Sequence, residues 1–123
     1  MPAVPSPLVA ILETVTVPSL KIALVLEKTT GLLQIHDVSN PRKPAKVSSF
    51  RTPGRQQSLG VRGSRAYIGG AEGLQIVDFS DPSTPIPAGS FKMAGPAQDV
   101  ALADSLVLVA IGKGGVVILR QGQ

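Results

Sequence analysis

The stretch GLLQIHDVSNPRKP (Gly31–Pro44) returns as EGLQIVDFSDPSTP (Glu72–Pro85) further along the chain. Leu33, Gln34, Ile35, Asp37, Ser39, Pro41 and Pro44 meet Leu74, Gln75, Ile76, Asp78, Ser80, Pro82 and Pro85 at one offset of 41 residues. The offset persists downstream, where Ser49-Phe50 matches Ser90-Phe91 and Gln57 matches Gln98. A shorter third copy, GGVVILR (Gly114–Arg120), lies 41 to 42 residues beyond the second. Agreement at so many positions marks an internal repeat of about forty residues.

Each unit divides into four short apolar runs separated by breakers. In the middle copy they are Gln57–Arg62, Arg65–Gly69, Gly73–Phe79 and Ile86–Phe91. The first copy supplies Thr14–Val17, Ile22–Leu26, Leu32–Val38 and Ala45–Phe50. The last supplies Gln98–Ala103, Ser105–Ala110 and Gly115–Arg120, with no fourth run. Gly63-Ser64 reads as a hairpin turn, where glycine tolerates positive φ. The third run ends in Asp-x-Ser-Asp-Pro or Asp-x-Ser-Asn-Pro: the acid and hydroxyl can bond nearby backbone N–H groups, and Pro denies the next ladder bond. No stretch free of breakers shows the three-and-four spacing of a helix. Four strands in about forty residues point to an all-β chain of propeller blades.

Composition agrees and narrows the chemistry. The 123 residues are 43% hydrophobic, with 13 Gly and 11 Pro, which argues against disorder and for many short strands. With no Cys there is no disulfide, thiolate nucleophile or zinc–thiolate site, and one His and one Tyr leave little for acid–base catalysis. Twelve Lys and Arg against eight Asp and Glu give +4. The basic residues are scattered, however, and one Tyr, three Phe and no Trp cannot form a base-stacking platform, so no nucleic-acid partner is expected. No apolar run reaches the roughly 18 residues of a membrane span. The N-terminus, MPAVPSPLVAIL, lacks the basic start of a secretory signal. The expectation is a chain not exported by itself, or a piece of a longer one.

The phrases GLQIVDFSDPSTP and GLLQIHDVSNPRKP resemble the LVIVD repeat, a unit of bacterial and archaeal β-propeller proteins, many at the cell surface. Gly73, Leu74, Ile76, Val77, Asp78, Ser80, Asp81 and Pro82 carry the resemblance, as do Leu33, Ile35, Asp37, Val38, Ser39, Asn40 and Pro41. Tyr67 in SRAYIGG matches the strand that the family writes with an aromatic. The chain departs at His36, where the second copy has Val77, and at Arg120, where both earlier copies have Asp. The resemblance implies a propeller, with a cell-surface or extracellular setting, and transfers no catalytic residue.

The expected organisation is a single propeller segment over residues 1–123. A stray outer strand covers 5–12, followed by blades at 14–50, 57–91 and 98–120, the last lacking its own fourth strand. Propellers close with about four to eight blades, so three need company. The first expectation is a homodimer: two copies make a six-bladed ring, each N-terminal strand completing the partner's last blade. The other is that the chain is part of a longer propeller.

Isolated residues have ordinary readings. His36 and Asp37 are neighbours in one strand and point to opposite faces, so they make no relay. Asp37, Asp78 and Asp81 read as turn residues rather than calcium ligands. Gly112-Lys113-Gly114-Gly115 precedes a strand, not the helix of a phosphate loop. The candidate ligand site is the set of loops from one blade's outer strand to the next blade's inner strand. There Arg51, Arg55, Gln57, Lys92, Gln98 and Asp99 would form a polar, net-positive channel mouth for an anionic ligand or a protein partner. No cofactor and no metal are expected. A non-enzymatic binding or scaffold module is the leading function, and a hydrolase or lyase with its site at that mouth is the alternative.

Overall fold

Strands with alternating apolar side chains must bury one face, and here they do so by stacking sheets. The computed structural model describes residues 12–40, 42–52, 54–93 and 95–120. Pro41, Pro53 and Ala94, and residues 5–11 of the expected stray strand, lie outside them; Leu12 opens the first inner strand.

The first sheet has the order β1 (Leu12–Val17), β2 (Ile22–Glu27), β3 (Leu32–Asp37) and β4 (Ala45–Arg51). The second repeats it with β5 (Gln56–Arg62), β6 (Arg65–Gly70), β7 (Gly73–Asp78) and β8 (Ile86–Phe91). The third has three strands, β9 (Asp99–Ala103), β10 (Leu106–Ala110) and β11 (Val116–Arg120). All pairings are antiparallel meanders, so the fold is all-β and propeller-like: three blades in an arc that does not close.

The strands fall within two residues of the sequence reading. The third strand of each of the first two blades stops at Asp37 and Asp78, because each carboxylate turns to cap the N–H two residues on. Beyond that cap Phe79 is buried outside any strand. The repeat also governs irregularity. The β3–β4 register shifts between Ile35 and His36, and the β7–β8 register shifts between Ile76 and Val77, the same place one unit later. A bulge recurring in register is a designed bend of the outer strand rather than an accident. Pro87 stands on β8 beside it, where a missing N–H is tolerated.

Two apolar layers hold the arc together. Leu24, Leu26, Leu33 and Ile35 of the first blade meet Leu59, Ala66, Ile68, Val77 and Phe79. Tyr67 and Leu74, on the opposite face of the second blade, meet Val100, Val107, Val109 and Ile111. The inner strands lie side by side: β5 touches both β1 and β9. Arg62 bridges the second seam, donating to the carbonyls of Asp104 and Leu106 while lying 5.5 Å from the Tyr67 ring centre.

Candidate functional site

The first seam is fastened by buried polar groups as well as apolar ones. The Thr52 N–H and hydroxyl both donate to the Gly31 carbonyl, at 2.9 and 2.6 Å. Gln56 donates its backbone N–H to the Lys28 carbonyl and its side-chain amide to Thr52 Oγ1, each at 2.7 Å. Thr52 and Gln56 are almost fully buried. A Cβ on Gly31 would run into Thr52 and the Gly54 carbonyl, and one on Gly70 into Gln56 and the Arg55 carbonyl. Glycine at both places lets the backbone close on the polar pair. One repeat later the same positions are Met93 and Ala97, and Ala97 is buried in the apolar layer. The frame therefore accepts an apolar solution, and the first seam departs from it.

Lys28, Thr29, Arg55, Gln56 and Gln57 line a cleft of about 130 Å³ beside this fastening. Lys28 sits in the turn between β2 and β3, and Arg55 ends the connection from β4. Lys28 Nζ is 3.3 Å from Glu13 Oε1, so its charge is largely answered. Arg55 is exposed and brings a guanidinium to the cleft. A guanidinium beside a hydroxyl and the exposed Gln57 amide can hold a small anion by charge-assisted hydrogen bonds.

The structure brings Arg55 and Gln57 together in that cleft. Gln98 and Asp99 stand one seam away, at the start of β9: Gln98 donates its N–H to the Ala110 carbonyl, and Asp99 accepts from Ser58 Oγ at 3.0 Å. Arg51 is exposed at the end of β4 and Lys92 is exposed just past β8, both at outer strands. Sequence reasoning missed Lys28, Thr29, Thr52 and Gln56. The Thr52/Met93 and Gln56/Ala97 mismatches between copies were the signal that could have found the buried pair.

His36 does not engage Asp37. Its Nε2 lies 2.8 Å from Gln34 Oε1, and Gln34 Nε2 donates to Glu27 Oε2 at 2.6 Å, a polar chain along the outer face of the first blade. Asp37 is held below the usual carboxylate range by the Ser39 hydroxyl and then its N–H, and Asp81 likewise by Ser83. At Asp78 the Ser80 N–H lowers the value most. These are turn bonds, with their donors two residues on.

The LVIVD repeat profile matches residues 29–52 and 53–93, together more than half of the chain. The chain belongs to the LVIVD-repeat family. The two matched LVIVD segments hold β3–β4 and β5–β8. No curated protein matches significantly. In fold, this LVIVD-repeat chain is similar to the crystal structure of the computationally designed Ika4 protein, at 14% identity and a TM-score of 0.67. The match covers 83% of this chain and 61% of the designed one.

Proposed function

We propose that this LVIVD-repeat chain is a non-enzymatic binding or scaffold module that closes its ring with a second copy. The observation that carries the reading is the mismatch between equivalent positions. Leu74 is fully buried in the second seam, whereas Val116, its counterpart on β11, is 61% exposed. Ile118, the counterpart of Ile76, is 59% exposed. An apolar sheet face left open favours association. Two arcs of three blades make six, within the range in which propellers close. The binding part of the reading attaches to the Arg55 cleft, whose donors suit a small anion. Light scattering coupled to size exclusion at low micromolar concentration tests the ring. The expected mass is twice the 12.7 kDa of one chain. A mass of one chain overturns it, leaving blades of a longer polypeptide to cover the face.

A further inference from the structure

The two open faces of the arc correspond to surfaces that the molecule already joins twice internally. The second position of each second strand pairs with one residue of the third strand: Ala23 with His36, Ala66 with Val77, Val107 with Leu119. These three positions are equivalent, and they face the preceding blade. Val77 is buried there against the first blade, and Leu119 packs there against the second. His36 faces away from the second blade, and among the described residues no blade precedes it. The opposite surface follows the same rule. Leu33 and Ile35 face the second blade, Leu74 and Ile76 face the third, and Val116 and Ile118 face outward. The chain thus presents one half of its own seam at each end, and the ring just proposed brings those halves together twice.

We infer that the joint between copies seats the Val116–Ile118 face of the third blade on the Gln34–His36 face of the first, and that His36 makes this joint sensitive to protons. The inference rests on the reading of a ring closed by a second copy. At both internal seams the place of His36 is aliphatic, so docking costs no charge. At the joint an imidazole would leave water against apolar side chains. Burial disfavours its cationic form, and imidazole is the side chain that gains charge between about pH 8 and pH 5.

The charged groups around His36 are few. Lys46 is its cross-strand neighbour on β4. Ala23 and Thr16, in line on β2 and β1, carry no charge. Glu27 is reached only through Gln34, whose amide it already occupies. On the docking face the charged residues are Asp99, in the cleft with Ala101, Leu108, Ala110 and Val116, and Arg120 at the end of β11. Asp37 stands on the opposite face, held ionised by Ser39. Burial at the joint favours the neutral imidazole, so assembly is complete near pH 8 and weakens toward pH 5. Each ring has two such joints and sheds up to two protons on forming, which bounds the slope at about 100-fold in Kd per pH unit.

Sedimentation equilibrium of the full chain from pH 8 to pH 5, beside H36V and H36Q, tests this, with circular dichroism confirming the folded state at each pH. The expected result is a dimer whose Kd rises at least about tenfold toward pH 5. Both variants should lose that dependence, with H36V the tighter at pH 5. A wild-type dimer of constant Kd overturns the inference and leaves the ring standing. So does a dependence that survives in both variants. A single-chain mass at pH 8 overturns the ring and this inference together.

Discussion

Asp37 and Asp78 show how one side chain ends a strand, and Asp81 makes the same bond in the loop beyond. Each carboxylate accepts the N–H two residues ahead, so the chain turns before the ladder can continue. Asn40 does the same for Arg42 at the place where the second copy has Asp81, so the acceptor matters more than the charge. The acids have folded values below the ordinary 3.8, and their contribution is present above that value and fades as pH falls through the lowered ones. The melting temperature should therefore drop between pH 5 and pH 3, and a D78N/D81N double variant should drop less, as read by circular dichroism. Arg55 makes its own test. Inorganic phosphate should raise the melting temperature of the wild type and not of R55A; equal shifts in both would remove the cleft from the binding reading. Asp turn chemistry was legible from spacing alone. The Thr52–Gln56 pair showed in the sequence only as a mismatch with Met93 and Ala97, and its burial depends on which strand passes overhead.

At the scale of elements, equivalent strands differ in worth because their neighbours differ. Leu74 and Val116 hold the same place on β7 and β11, yet one is sealed under the third blade and the other is open. L74A should cost about 2–5 kcal/mol through lost burial and a cavity. V116A should stay within about 0.5 kcal/mol in the dissociated chain, because the site is already in water. Urea unfolding at a concentration where single chains dominate separates the two, and equal costs would mean that the third sheet is covered within one chain. The breakers and the period-two pattern placed all eleven described strands closely, since both signals are local. The bulges after Ile35 and Ile76 carried no such signal, for they arise from how an outer strand bends over its neighbour.

For the whole molecule the count of blades dominates. Two apolar layers bind three sheets, and among the described residues no third layer covers the end faces. I118K places a charge at the centre of the open face while touching neither layer. It should leave the melting curve of the single chain unchanged and abolish the dimer in light scattering; a dimer that tolerates the lysine would put the joint elsewhere. Repeat, strand content, blade class and family could all be read from residues 31–44 and 72–85, because local alternation and turn chemistry dictate strands and a repeated strand pattern dictates repeated blades. Which positions became sealed, which stayed open, and which seam took a polar fastening came from the stacking of one blade on the next. Those contacts join residues far apart in the chain, and no local pattern encodes them.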